Sequence, residues 1–381
     1  MKIWLVTVGE PLPRAGNSAR LWRTGILART LVDRGHDVTW WTSSVDHFTK
    51  RQMVEESSFE RIQPGLALQF LHGRLYTRNI SLARFLNHRD IAAEFIRLAR
   101  DAPAPDIILC SYPTIELSDA AVTIGAGYGV PVLLDIRDLW PDELVARLPA
   151  FLRPAAPWLM FPLFRGARRA LGNATGIVAI SRTYLEWARK MGGRTPRECD
   201  LFAPMGYEPF SRAQPSAAAE ERLRAVGVDP ARKIVWFCGT FVGSIDLSTP
   251  IECARELVKE SSLQFVFTGS GERDQEWRAA ARGLDNVIFT GWADRDEIAH
   301  LARLAWIGLA AYKRGALMSL PNKIFEYMAA GLPVVSSLAG EAGALLTDND
   351  AGLLYAAGDS ADLGAKLLAL AADPGRRERL A

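Results

Sequence analysis

Lys323 and Glu326 stand three residues apart, so on a helix they share one face. The residues around them, RGALMSLPNKIFEYMAAGLPVVSS from Arg314 to Ser337, carry the punctuation of such a helix. Ser319 has the side chain of an N-cap, whose oxygen accepts from a free amide of the first turn. Pro321 belongs in that turn, where a missing N–H costs nothing. Asn322 to Ala330 then reads as a short helix, with Ile324, Phe325 and Met328 as its buried face. Gly331 suits a left-handed stop, Pro333 blocks continuation, and Val334 to Ser337 reads as a buried strand. Free amides at a helix N-terminus attract anions, phosphate above all. Ser319, Leu320 and Asn322 would line that end, with Lys323 beside a phosphate and Glu326 beside ribose hydroxyls. The set suits a nucleoside diphosphate. An ordinary capped helix with an i,i+3 ion pair is the other reading of the same residues.

The stretch resembles the signature of the family 4 retaining glycosyltransferases, enzymes of the GT-B fold that use sugar nucleotides. In that family two glutamates, separated by seven residues, frame this helix. The second binds the ribose hydroxyls and falls on Glu326; the first falls on Met318. The run Ser319-Leu320-Pro321-Asn322-Lys323 is similar to a bacterial surface-polysaccharide branch, in which a PxKxFEYMAxGxPVV pattern replaces the first glutamate.

Positioning these residues takes a large α/β chain. The 381 residues suggest two or three domains, and 49% hydrophobic with 23% charged residues is ordinary for a globular protein. No apolar run reaches the ~18 residues of a spanning helix, and the short run in MKIWLVTVGE reads as a first strand, not a signal peptide. Cys110, Cys199, Cys238 and Cys253 have no CxxC or CxxH spacing, which argues against a zinc site or a disulfide framework and for a reducing compartment. The net charge of +2 is uneven: 26 basic and 20 acidic residues up to Met205, then 19 and 23. The arginine-rich half suits an anionic surface or a phosphate-bearing acceptor. No nucleic-acid motif accompanies it.

Along the first half, Lys2 to Val8 reads as a strand, residues 9–17 as a glycine-bearing loop, Ser18 to Asp33 as a helix and His36 to Ser43 as a second, parallel strand. The loop is not GxGxxG, so a dinucleotide fingerprint is not supported. It resembles the first loop of GT-B enzymes, which implies Gly16 near the donor phosphates and Arg14, Arg20 and Arg23 within reach of the acceptor. His47 follows the second strand, where open parallel sheets bind ligands, and is an acceptor candidate. Further strands are expected at Leu66–His72, Pro105–Ser111 and Val130–Asp135. The last runs into Ile136-Arg137-Asp138-Leu139-Trp140-Pro141, a charged cluster costly to bury unless paired. It is either an internal ion pair or a sugar contact. Its likeness to a DxRDLWP loop implies catalytic roles for Arg137 and Asp138. Phe151 to Leu171 sets apolar and aromatic residues beside Arg153, Arg165, Arg168 and Arg169. That pattern suits an anionic membrane surface and equally a packed helix with a basic outer face.

The boundary is expected near Tyr207, giving domains 1–206 and 207–381. In the second, Lys233 to Gly239 starts a new parallel sheet, and the amides of Gly239 and Thr240 are phosphate candidates. The family carries an arginine and a lysine in and after this loop; here Phe241 stands there with no lysine nearby, and Lys323 is the candidate replacement. Gly269 and Trp292 match the family positions that hold the nucleobase. The resemblance also leads one to expect a final helix beyond Ala381 that crosses back to the first domain, hence a truncated chain or a looser hinge.

The βα alternation predicts an α/β fold: two doubly wound parallel-sheet domains facing a cleft. The resemblance implies a retaining, metal-independent glycosyltransferase needing no cofactor beyond its co-substrate, with a UDP-sugar the expected donor. The acceptor would be a lipid-linked or polysaccharide precursor in lipopolysaccharide-type synthesis, at the cytoplasmic membrane face. Lys323 would act with the helix amides on the leaving diphosphate. The absent first glutamate and clamp residues motivate an alternative: a non-catalytic or partner-dependent GT-B protein that binds nucleotide weakly.

Overall fold

A computed structural model describes residues 1–14, 21–207, 216–259, 262–316 and 318–381. Gly16 and Arg20 lie outside the described residues. The chain divides into two compact units, Met1–Pro204 and Met205–Ala381.

The first unit is built on strands β1 (Lys2–Val6), β2 (Asp37–Ser43), β5 (Phe59–Gln63), β6 (Leu66–Leu71), β7 (Ile107–Tyr112), β8 (Val132–Ile136), β9 (Gly176–Ala179) and β10 (Leu201–Phe202), with a small hairpin, β3 (Val45–Asp46) and β4 (Arg51–Gln52), after β2. The sheet order is β10-β9-β8-β7-β1-β2-β6-β5, parallel except for β5. Near-continuous apolar runs such as IWLV and VLLDI bury both faces, as a sheet covered on two sides requires. Strand β5, FERIQ, was not expected from the sequence. It alternates half-buried and exposed residues and pairs antiparallel with β6 at the sheet edge. The first helix begins, within the described residues, at Arg23 and runs to Asp33.

The second unit has strands β11 (Lys233–Cys238), β12 (Leu263–Thr268), β13 (Val287–Gly291), β14 (Ala305–Ala310), β15 (Val334–Ser336) and β16 (Gly352–Leu354). All pair in parallel, in the order β13-β12-β11-β14-β15-β16. This is the 3-2-1-4-5-6 doubly wound order. Its topology reverses between β11 and β14, where the loops leave the strand ends on opposite sides and open a crevice. In the first unit the reversal lies between β1 and β7.

The helix after β14 spans Asn322–Ala329, and Gly331 takes φ +66°, the left-handed stop expected of it. One expectation is corrected here. Ser319 does not cap this helix: Pro321 is its N-cap, no side chain caps it, and the Ser319 hydroxyl donates to Glu341 at 2.9 Å. The loop turns into the helix two residues later than Ser319 would require, so the serine braces the loop against the next helix instead.

Candidate functional site

The crevice at the second switch point is made by close backbone approach. Gly269 and Gly239 end β12 and β11 and leave no room between them: a Cβ on Gly269 would lie 2.0 Å from the Gly239 carbonyl oxygen. Gly239 has φ +147°, which favours glycine, and a Cβ there would meet Lys323 Nζ at 2.3 Å. The Lys323 ammonium therefore lies on the backbone of the Gly239 turn. It also sits 4.9 Å from the centre of the Phe237 ring. Burial lowers its pKa, against the opposing pull of Cys238 and Glu326, and among the described residues it makes no ion pair. The i,i+3 ion pair with Glu326 is thus not formed. Glu326 is itself buried, at 9% exposure.

The residue that sets this geometry is Tyr327, which sequence reasoning missed. Fully buried, it accepts from the Cys238 amide at 2.9 Å and donates to the Leu309 carbonyl at 3.1 Å. It pins the helix to the ends of β11 and β14, the two strands flanking the switch point. Lys323, four residues earlier on the same face, is thereby held over Gly239. Thr240 is exposed beside it, and Trp292, 66% exposed, follows the end of β13. Gly269 is tied to that strand end by its amide, which donates to Gly291 at 2.8 Å.

In the first unit an ion network fills the switch point. Asp135, 1% exposed at the end of β8, receives Arg23 through two bonds of 2.9 and 3.1 Å and Arg137 Nε at 2.9 Å. Arg137 also pairs with buried Glu10 and donates to Thr24 Oγ1 at 2.9 Å. Glu10 accepts from the Thr24 amide and hydroxyl at 3.0 and 2.7 Å. Burial would raise the Asp135 pKa, but Arg137 and Arg23 outweigh it and hold the carboxyl below its usual range. Of the two readings of the 136–141 cluster, Arg137 takes the internal ion pair. Arg23 is committed to the same network and to the Pro204 carbonyl at 3.0 Å, so neither guanidinium is a free acceptor contact. Glu10 was not anticipated; a lone glutamate in a loop gives no sequence signal of burial.

Asp138 is different. Burial, and next the Glu143 charge, raise its pKa from 3.8 to about 7 against the pull of Arg137, Arg84 and Arg147. A carboxyl with a raised folded pKa favours the fold below its unfolded value and loses that contribution as pH rises through the folded one. Asp138→Asn should therefore match the wild type in thermal midpoint below pH 4 and exceed it at pH 8; equal midpoints at pH 8 would contradict this. His47 lies over Gly9, with its Nδ1 2.7 Å from the Tyr76 hydroxyl. Burial first, then Arg84 and Lys50, lower its pKa to about 4, so it is neutral at pH 7.

Residues 22–199 match the family described as glycosyl transferase 4-like domain, and residues 232–373 the one described as glycosyl transferases group 1. The chain belongs to the family 4 glycosyltransferases. Across 206 residues it is 28% identical to the GDP-mannose-dependent alpha-(1-6)-phosphatidylinositol monomannoside mannosyltransferase of Mycobacterium tuberculosis (strain ATCC 25618 / H37Rv), which covers 52% of this chain and 53% of that protein. The match thus spans about half the length of that relative. Over 318 residues it is 24% identical to the putative colanic acid biosynthesis glycosyl transferase WcaI of Escherichia coli K12, covering 81% and 77% of the two chains. The structure of Anabaena Alr3699/HepE in complex with UDP-glucose shares the fold, with TM-score 0.66, 16% identity, and 100% and 92% coverage.

Against the family pattern, this chain has a core residue at the position of the clamp arginine. Phe241 is fully buried against Trp277 and Phe237, with ring centres at 5.2 and 6.1 Å. A Cβ on Gly271 would come within 2.6 Å of its backbone. No side chain from position 241 reaches the crevice, and Lys323 is the ammonium that does.

Proposed function

We propose that this family 4 glycosyltransferase is a retaining enzyme moving a hexosyl or N-acetylhexosaminyl group from a nucleoside-diphosphate sugar to a lipid-linked or polysaccharide acceptor in cell-surface glycan synthesis. The observation that carries the reading is the Lys323 ammonium held on the Gly239 turn at the switch point, one helical turn from buried Glu326. A cation without a carboxylate partner among the described residues, beside a glycine turn, suits a diphosphate, and the carboxylate beyond it suits ribose hydroxyls. On this reading Lys323 and the amides of the Asn322 turn neutralise charge growing on the leaving diphosphate. That phosphate takes the acceptor proton on the same face of the sugar, so the chain has to bind and orient both substrates. Asp138, titrating near neutrality, would hydrogen-bond sugar hydroxyls. UDP is the expected nucleotide, supported by the UDP-glucose named with the Anabaena structure; the mycobacterial relative's name specifies GDP-mannose. Titration with UDP and GDP tests the donor site. Transfer that survives 10 mM EDTA would support metal independence, and its loss would refute it.

A lipid-linked acceptor implies work at a membrane face. No helix among the described residues is long and apolar enough to cross a membrane. Residues 150–169 instead carry Phe151, Trp158, Leu159 and Phe161, exposed by 80, 85, 64 and 55%. Arg153, Arg165, Arg168 and Arg169 are exposed among them. Apolar side chains standing in water beside Arg165 and Arg168, which make no ion pair among the described residues, suit insertion at an anionic interface. Trp158→Ser and Phe161→Ser should each weaken binding to phosphatidylglycerol vesicles about tenfold, from the ~1.5 kcal/mol at the low end for burying a large apolar side chain. Co-sedimentation unchanged by both would refute this surface.

A further inference from the structure

Besides the ion network, the carboxyl edge of the first unit holds two cations without an ion-pair partner among the described residues, with Asp138 near the first, Arg84, and Asp46 near the second, Lys50. Arg84 is in the first turn of helix Leu82–Ala99 and Lys50 is in the loop between β3 and β4. The Arg84 guanidinium is sandwiched between Tyr76 and Trp140, 5.9 and 5.3 Å from their ring centres. Lys50 Nζ lies 5.1 Å from the same Tyr76 ring. Asn79 ties the two together: its carbonyl accepts from Arg84 at 2.6 Å and its side-chain oxygen from Lys50 at 2.5 Å. Neither cation makes an ion pair among the described residues. Arg84 Nε is buried and has no hydrogen-bond partner among the described residues. Asp46 lies near Lys50 without an ion pair to it, and its Oδ1 accepts from the amides of Phe48 and Thr49 at 2.7 and 3.0 Å.

Buried charges are ordinarily paired, because an unpaired one costs several kcal/mol of lost hydration. Here two like charges share one aromatic ring, and the two histidines beside them are neutral, with pKa values lowered by burial first to about 4 (His47) and about 3 (His88). A guanidinium whose Nε–H has no partner among the described residues and an ammonium next to it form a receptor for an oxyanion. We propose that Arg84 and Lys50 bind an anionic group of the acceptor, a phosphate or a sugar carboxylate, with Tyr76 and Trp140 holding the guanidinium in place. Only the word acceptor rests on the glycosyltransferase reading; the anion site stands without it.

The test follows the indole N–H signal of Trp140, assigned with Trp140→Phe, in the full chain with and without saturating UDP. The probes are glucose 1-phosphate, glucuronate and glucose. The two charged sugars are expected to move the signal saturably at millimolar concentration and glucose is not. Arg84→Gln and Lys50→Gln should each weaken the effect at least about tenfold, as loss of a charged hydrogen bond predicts. Tighter binding of glucose 1-phosphate would identify a phosphate-bearing acceptor, and tighter glucuronate an acidic sugar; both support the site. Because Arg84 costs hydration in the free protein, Arg84→Gln should melt at or above the wild-type temperature. Equal responses to all three probes, or unaltered binding in Arg84→Gln, would overturn the proposal. So would a lower melting temperature with binding intact, which makes Arg84 a structural residue. Failure of the donor reading would show separately, as absence of UDP binding with these responses unchanged.

Discussion

Lys323→Met is expected to weaken UDP binding roughly ten- to a hundredfold, the about 1.5–3 kcal/mol contributed by a hydrogen bond to a charged group, while leaving the fold intact. The ammonium lies half-buried on the Gly239 turn, without an ion-pair partner among the described residues. Its removal thus deletes a ligand contact and relieves a desolvated charge, so the melting temperature should stay level or rise. Glu326→Ala should weaken binding comparably by removing the ribose contact. Gly239→Ala tests the placement from the other side. Its new Cβ would fall 2.3 Å from Lys323 Nζ, in a backbone conformation of φ +147° that alanine resists. That substitution should lose both nucleotide affinity and some stability. Isothermal titration of the four proteins with UDP and GDP measures all of this. Wild-type affinity retained in Lys323→Met would move the anion site elsewhere and remove the main support for the donor reading. If wild-type protein bound neither nucleotide, the weak-binding, non-catalytic alternative would regain its motive.

Asp135→Ala is expected to destabilise the first unit by about 3–5 kcal/mol, the cost of removing one partner from a buried charge pair. The carboxylate is fully enclosed and receives both Arg23 and Arg137. Without it, two guanidiniums are left at a buried strand end, with Glu10 still pairing Arg137. The sign with pH follows from its lowered pKa. The contribution is present above the unfolded carboxylate pKa and disappears as pH falls through the lower folded value. Urea unfolding of wild type and Asp135→Asn should therefore differ clearly at pH 7 and converge in strong acid. A gap that persisted in acid would assign the effect to packing instead of charge.

The helix-turn-strand unit from Asn322 to Ser336 was legible in the sequence because each of its signals is local. A proline, a glycine and a 3.6-residue apolar period act on the backbone within one turn of themselves. The alternation of strands and helices, and the parallel pairing it demands, were readable for the same reason. Ser319 shows where local reading stops. Its chemistry is that of a cap, but Glu341, 22 residues away, takes its hydroxyl. Arg137 stood open between an ion pair and a sugar contact because its partners, Glu10 and Asp135, come from different strand ends, brought together by the order of the sheet. Phe241 looked like a missing clamp until the backbone of Gly271 and the ring of Trp277 showed that the position belongs to the core. Tyr327 was one aromatic residue among eight tyrosines until its hydroxyl met the ends of two strands. The sequence by itself determined the fold class, the family and the helix that carries Lys323 and Glu326, since those depend on residue type and short-range spacing. Which charges are paired, and which stand open to a ligand, only the tertiary structure decided, because a charge is satisfied by whatever the fold brings within about 3–4 Å of it.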